Sequence, residues 1–506
     1  MRRGPLSPPG WVPCSGCGHR VELPARLCET CRGELRERRS RWLRRLVLLI
    51  SVGCSLGLAA YALTRFIPPR PYGLADDYRV FFAAARLLGG GHSPYDWGKL
   101  QAVEQLAQFY SRLQPTLDSF AYLPIAATLL EPLSKPPFWA SYTAFTCFGA
   151  AMALLMLALL ARDLGWTRVA ALVLGVLVSW IALLGFAAGQ FDALMFAVLA
   201  GSMLLAWHDR PFLAGLVLAL IWVKPDLLWP APVFLFLVLW QRPRRAWWFA
   251  LGFAAVSALC LAASSGLLPA WWRAAHGFAS GVGTQQPDLA GLPGLLGASP
   301  AGFGLGTGVL APGTLVVIAG ALVGMAVFAA WMMLSSDWRQ VSPVGRIAWG
   351  VGLPLGIWLL ATPYAHPNDD LLLLPLIMLT VGRDARRVHG LGLGLALLAM
   401  VWLLLIWPGE VIPWVVGLLA LVALGAVLWH WRTNPLFTGF GAGLCLLALV
   451  LLPPVWGFHL LHVGLTPIAV LVLVVEGART CWMEVRCSEP SAPAQTGSAD
   501  GVGRAR

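Results

Sequence analysis

Long apolar runs separated by short polar connections fill most of the chain after its first 41 residues. Most of these runs have the length that a helix needs to cross a bilayer core, which is about 20 residues. The pattern predicts an all-α polytopic membrane protein with about 12–14 transmembrane helices. The predicted organisation is a polar segment at 1–41, a membrane domain at 42–480 and a disordered tail at 481–506.

Composition narrows the class of protein. Hydrophobic residues make up 58% of the 506 residues and charged residues 12%, and the mean hydropathy is +0.72. A soluble fold cannot bury that share of apolar side chains. The formal charge is +12, but the basic residues lie in short groups between apolar runs, so we expect no nucleic-acid partner.

The basic groups also predict an orientation, because arginine and lysine in short loops favour the cytoplasmic side. With the N-terminus inside, every second loop is basic, including those with Arg210, Arg242 and Arg383. Two long segments, 67–136 and 268–308, then face outward. We expect a multi-pass plasma membrane protein with both termini in the cytoplasm.

The polar N-terminal segment contains two CxxC motifs. A tetrahedral four-cysteine site can hold a structural zinc ion and stabilise a segment too small to fold alone. The spacing predicts a zinc ribbon rather than unmetallated or redox-active cysteines, and such a ribbon offers a surface for a cytoplasmic protein partner. The four predicted ligands are Cys14, Cys17, Cys28 and Cys31.

The first long outward segment carries the strongest candidates for chemistry. Asp76 and Asp77 precede a short amphipathic stretch at 78–88, and a second one spans 98–114. These stretches are predicted to be interfacial helices, with ordinary packing as the alternative for the second. The acidic pair is a candidate base, or it only caps a helix that starts at Tyr78.

Lys224 lies between two apolar runs, where an ionisable side chain is costly and is a candidate functional group. Its ammonium group is expected to hold a phosphate, unless it snorkels or pairs with Asp226. Gln190 and Asp192 end another apolar run, where they are candidate polar contacts for a substrate. The alternative for Asp192 is an ion pair with Lys224.

A later polar segment, TPYAHPNDD, is predicted on the same outer side. Its His366 is expected to shape a substrate pocket together with Asp369 and Asp370, although turn residues are the alternative for both acids. Arg273, in the second long segment, is a candidate phosphate or acceptor contact. We expect no catalytic metal, since no spacing fixes a coordination geometry.

Several short motifs occur in an order that resembles a known family. The motifs resemble those of the polyprenol-phosphate-mannose-dependent mannosyltransferases of the GT-C superfamily, similar to glycosyltransferase family 87. The resemblance covers roughly residues 43–385 and leaves the cysteine segment outside. The motifs are Asp77-Tyr78, Phe81-Phe82, Ala83 to Ala85, Gly89 to Gly91, Pro94-Tyr95-Asp96, Tyr122-x-Pro124, Gly189-Gln190-Phe191-Asp192, Ala214-Gly215 before Lys224-Pro225, and Thr362-Pro363-Tyr364-Ala365-His366.

The resemblance implies inverting transfer of a hexose, mannose in the first instance, from a polyprenyl-phosphate donor to a lipid or glycan acceptor. It places the base at Asp77, with Asp76 adjacent, and the membrane is then a bacterial inner membrane. Donor phosphate or sugar contacts are expected from Lys224, Gln190, Asp192, Tyr364, His366 and Arg273. The alternatives are a transporter or flippase of a lipid-linked substrate, and an inert membrane scaffold for the zinc ribbon.

Overall fold

The computed structural model describes the chain in two compact units, 1–61 and 62–506, and each is considered by itself. The predicted helices before residue 75 and most of those after residue 376 lie outside the described residues. The residues that the structure describes are 11–13, 20–22, 75–108, 120–160, 185, 188–280, 312–363 and 365–376, with short pieces between 470 and 482.

In the first unit the described residues form one antiparallel hairpin. Strand β1 (Trp11–Pro13) pairs with β2 (Arg20–Glu22), with Val12 opposite Val21. The first CxxC motif falls between the two strands along the chain. The four cysteines themselves, and hence the zinc ribbon prediction, lie outside the described residues.

In the second unit every regular element that the structure describes is helical, so the predicted all-α membrane architecture is confirmed. The first long segment forms helices where two amphipathic stretches were predicted, α1 (Asp76–Gly89) and α2 (Trp97–Gln108). Helix α1 is buried without interruption from Tyr78 to Ala85. It therefore belongs to the core of this unit.

Prolines divide the next stretch into short helices. Helix α3 (Pro124–Leu130) starts at a proline and runs into a 3₁₀ turn (Glu131–Ser134), after which the long helix α4 (Phe138–Leu160) begins. Proline suits the first turn of a helix and ends a preceding one. The prolines therefore account for the breaks between α3, the 3₁₀ turn and α4.

Apolar helices follow in a closely packed series. Four helices among the described residues are long and apolar enough to cross a membrane, namely Phe138–Leu160, Pro243–Ser264, Gly313–Leu334 and Pro343–Ala361. The helices after α4 are α5 (Asp192–Trp207), α6 (Pro211–Leu218), α7 (Pro225–Leu228), α8 (Pro230–Leu239), α9 (Pro243–Ser264), α10 (Leu268–Ser280), α11 (Pro312–Leu334) and α12 (Pro343–Ala361). Additional 3₁₀ turns cover Ala219–Val223, Ser265–Leu267, Asp337–Gln340 and Pro367–Leu373.

Helices α6 and α9 cross at a contact between their backbones. A Cβ atom added at Gly215 would collide with the carbonyl oxygen of Phe249, and one added at Gly252 would collide with that of Phe212. Small residues at such a crossing let two membrane helices approach closely. This contact fixes the helix that leads, through the turn Ala219–Val223, to Lys224.

Candidate functional site

The N-terminus of α1 presents the first candidate carboxylate. The helix begins at Asp76, and its N-cap residue is Ala75 in a left-handed conformation (φ 60°). The acidic pair therefore forms the first residues of the helix and does not precede a helix that starts at Tyr78. Asp77 lies in the first turn with a partly exposed side chain, where the helix dipole favours a negative charge.

A glycine turn brings a second segment against this helix end. Gly189 has a φ of +73°, and a Cβ there would lie 2.5 Å from the Cβ atom of Tyr78. Only glycine fits so close an approach at that backbone angle. The turn places Gln190 beside Asp77, and the Gln190 Nε2 atom donates a hydrogen bond of 2.7 Å to Asp77 Oδ2.

Aromatic packing also holds the glycine turn in place. The ring of Phe191 lies 4.6 Å from that of Phe81 on α1 and 5.3 Å from that of Phe145 on α4. Tyr78 donates or accepts a 2.5 Å hydrogen bond with Ser141, also on α4. These contacts tie α1 to α4 and to the turn before α5, so the position of Asp77 is set by three separate segments.

Lys224 forms a buried bridge between two carboxylates. It is 4% exposed, and its Nζ atom lies 2.8 Å from Asp192 Oδ1 and 2.7 Å from Asp369 Oδ1. Both aspartates are buried as well. A buried ammonium group requires such compensation, because removal from water costs more than a single imperfect pair returns.

The bridge decides between the two ion-pair alternatives for Lys224. The pairing with Asp192 is present, whereas among the described residues the salt-bridge partners of Lys224 are Asp192 and Asp369 and not Asp226. Two of the three N–H donors of the ammonium group are committed to carboxylates. Whether the third meets a donor phosphate stays a prediction.

The segment after α12 is ordered around Asp369. The Asp369 Oδ2 atom accepts a 2.7 Å hydrogen bond from the backbone N–H of His366, and the Asp369 N–H donates a 2.9 Å bond to the carbonyl of His366. This reciprocal pair starts the 3₁₀ turn Pro367–Leu373. Asp369 is therefore a structural partner of Lys224 as well as the residue that shapes the backbone at His366.

The phenol of Tyr122 is affected by charges from both Asp77 and the Lys224 bridge. Burial raises the pKa of its phenol above the usual value, and the charges of Lys224, Asp77 and Asp192 all act on it. The carbonyl of Tyr122 accepts a 2.7 Å hydrogen bond from Tyr95, whose pKa burial also raises. The phenol of Tyr122 is therefore within electrostatic range of both Asp77 and the Lys224 bridge.

Other predicted residues stand apart or outside the described set. Arg273 on α10 is exposed, while its neighbour Trp271 donates a 3.0 Å hydrogen bond to the carbonyl of Ala121, next to Tyr122. The described contacts do not bring the Arg273 side chain to the Lys224 bridge. Tyr364 and the side chains of Asp76 and Asp370 lie outside the described residues.

The sequence of this helical region is also similar to a known protein family. Residues 120–363 match the model of Glycosyltransferase family 87. That range is just under half of the chain, and a search of curated proteins finds no match. The match indicates a membrane glycosyltransferase. The family 87 region includes Tyr122, Gln190, Asp192 and Lys224, whereas Asp77 precedes it and Asp369 follows it.

The sequence alone did not predict the roles of two residues of the site, Asp369 and Tyr122. The sequence left open that Asp369 is only a polar turn residue. In the structure its side chain is 0% exposed and forms a salt bridge with Lys224. The signal was present, because a buried lysine flanked by apolar runs needs more than one acidic partner. Tyr122 appeared only as part of a short motif, and nothing local to it predicts that the charges of Lys224, Asp77 and Asp192 all act on its phenol.

Proposed function

We propose that the chain transfers a hexose, mannose in the first instance, from a polyprenyl-phosphate donor to a lipid or glycan acceptor. The observation that carries the proposal is the position of Asp77, a partly exposed carboxylate in the first turn of α1 that accepts a hydrogen bond from Gln190. The family 87 match supports glycosyl transfer in general. The donor, the sugar and the acceptor are the finer part of the proposal.

In the proposed reaction Asp77 is the general base. It takes the proton of the acceptor hydroxyl as that oxygen forms a bond to the anomeric carbon. The bond from the anomeric carbon to the phosphate oxygen breaks, and the polyprenyl phosphate leaves with the electron pair. Attack opposite the leaving group inverts the anomeric configuration.

The remaining polar side chains have proposed binding roles. The leaving phosphate gains negative charge, and we propose that the third N–H of Lys224 and the imidazole of His366 stabilise it. Asp76, Tyr364 and Arg273 remain candidates for the donor or acceptor contacts. By the basic-loop pattern, we place this chemistry on the outer face of a plasma or bacterial inner membrane, with both termini in the cytoplasm.

We also propose a structural zinc ion at Cys14, Cys17, Cys28 and Cys31, on a ribbon that offers a surface to a cytoplasmic partner. The described hairpin supports this, since two strands flank the first CxxC motif along the chain. The purified full chain is then expected to hold one zinc ion per molecule by elemental analysis. Equal zinc content in a Cys14→Ser/Cys17→Ser variant would remove the proposal.

The decisive experiment compares the wild-type chain with Asp77→Asn. Purified protein in lipid nanodiscs is given radiolabelled polyprenyl-phosphate hexoses and membrane lipid extract, and labelled product is separated by chromatography. We expect transfer with one donor and a loss of about 10²–10⁴-fold in the variant, the usual contribution of a general base. The thermal melt of the variant should match that of the wild type, because Asp77 is partly exposed.

Two outcomes would overturn the assignment. Full activity of Asp77→Asn removes the role of the base. Movement of labelled donor between leaflets with no transfer product, for any donor, indicates a transporter or flippase instead. Arg86→Gln, an exposed change on the same helix α1, is the matched control and should keep full activity.

A further inference from the structure

Gln190 was expected to bind sugar hydroxyls, but its described contacts support a different role. We propose that Gln190 is a positioning residue that orients the Asp77 carboxylate, and that it does not contact the donor sugar. This inference rests on the proposed function, since it assigns how the base of that reaction is held. It makes the glycine turn before α5 part of the catalytic machinery.

The geometry of the amide supports the proposal. A charged carboxylate only accepts hydrogen bonds, so the amide nitrogen must face Asp77, and Nε2 does so at 2.7 Å. The amide oxygen, Oε1, is shut off from solvent and has no hydrogen-bond partner among the described residues. In this arrangement the Oε1 atom presents no surface to solvent.

The backbone around Gln190 is held tightly enough for such a role. The Gln190 N–H donates a 2.8 Å hydrogen bond to the carbonyl of Gly185, and Gly189 takes the left-handed conformation. The next side chain, Phe191, is buried against the rings of Phe81 and Phe145. An amide on so fixed a turn holds its partner in one orientation, which is what a base requires.

The pocket next to Gln190 is the wrong place for a sugar. It lies between α4 and α5, and besides the glycines its lining is mainly apolar, including Phe145, Ala193 and Leu194. Sugar sites need several convergent polar groups. Thr146 supplies the one hydroxyl of the described lining, which leaves the pocket with few polar groups besides the Gln190 amide.

The two roles differ in kinetics. Loss of a hydrogen bond to the charged carboxylate makes the base harder to keep ionised and less well oriented, so kcat falls and activity is lost at a higher pH on the acid side. Loss of a sugar contact weakens donor binding and raises KM instead. The two readouts separate positioning from binding.

The test measures kcat and KM against pH for the full chain in nanodiscs, with the donor that the wild type uses. For Gln190→Met we expect kcat to fall about 10-fold, donor KM to stay within about 2-fold, and the acid limb to rise by about one pH unit. Gln190→Glu should raise the acid limb further, because a second carboxylate then faces the first. Thr146→Val changes the same pocket and should leave the limb where it is.

Each outcome is decisive. A donor KM raised about 10-fold or more, with kcat and the acid limb unchanged, would overturn the inference and restore the sugar-binding role. Transfer by Gln190→Met with the wild-type profile would overturn it while leaving the proposed function intact. If the wild type transfers nothing, both fall, and if Gln190→Met does not fold, Gln190→Glu carries the test at the same side-chain length.

Discussion

The Lys224 bridge and the α6–α9 crossing are both buried close contacts between distant segments, yet they solve opposite problems. At the bridge, one ammonium group is balanced by two carboxylates that enter from α5 and from the turn after α12. At the crossing, two glycines remove every side-chain atom so that backbones can touch. The bridge is stabilised by charge compensation, and the crossing by the absence of bulk.

The two regions are also consecutive. The crossing anchors α6, and the 3₁₀ turn Ala219–Val223 carries the chain from α6 to Lys224. The crossing therefore sets where the lysine enters the site, and the bridge sets its charge environment. Substitutions should separate these contributions, because a charge imbalance can be repaired by a second charge change whereas a backbone collision cannot.

The largest effect is expected from Lys224→Met. It keeps an unbranched side chain of similar length but leaves Asp192 and Asp369 buried without their cation. Removal of one partner from a buried ion pair costs about 3–5 kcal/mol, so we expect a large drop in folded yield and in the melting temperature measured in detergent. A melting curve equal to that of the wild type would show that the bridge does not form.

A triple variant then separates structure from chemistry. Lys224→Met combined with Asp192→Asn and Asp369→Asn removes all three charges, and neutral groups of similar shape should recover most of the lost stability. If Lys224 is only structural, transferase activity should return as well. If its third N–H holds the leaving phosphate, the refolded triple variant should remain inactive.

The sequence predicted these two regions unequally. Apolar runs predicted the membrane helices, because span length and amphipathic periodicity are local properties. The breaks around α3 also have a local cause, because proline ends a preceding helix and suits the first turn of the next one. The pairing of Lys224 with Asp192 was foreseen as an alternative, since the two residues lie in neighbouring runs.

What the sequence did not predict depends on long-range packing. Asp369 reaches Lys224 from 145 positions away along the chain, and Gln190 reaches Asp77 across 113. A motif shows that such residues occur, but only the assembled helices show which of them meet. Gly215 likewise appeared as part of a motif. Glycine is required there because the backbones of α6 and α9 touch, and no local sequence pattern shows that contact.

A smaller effect is expected from Gly252→Ala. A Cβ atom at this position would collide with the carbonyl oxygen of Phe212 and lie 3.2 Å from the backbone nitrogen of Leu216. Helices α6 and α9 must then separate, which costs about 1–3 kcal/mol, less than the loss of a buried cation. The measurement is again the melting temperature in detergent.

The matched control is Gly320→Ala on α11, where an added Cβ meets no atom within 4 Å. Because alanine favours helix by up to about 1 kcal/mol over glycine, this control should melt at the same temperature or higher. Adding Phe212→Ala to Gly252→Ala should not restore stability, because the collision is with the Phe212 backbone and not with its ring. Rescue by Phe212→Ala would show that the added Cβ atom collides with the Phe212 ring. A substitution on the partner helix could then restore stability at the crossing, as a second charge change does at the Lys224 bridge.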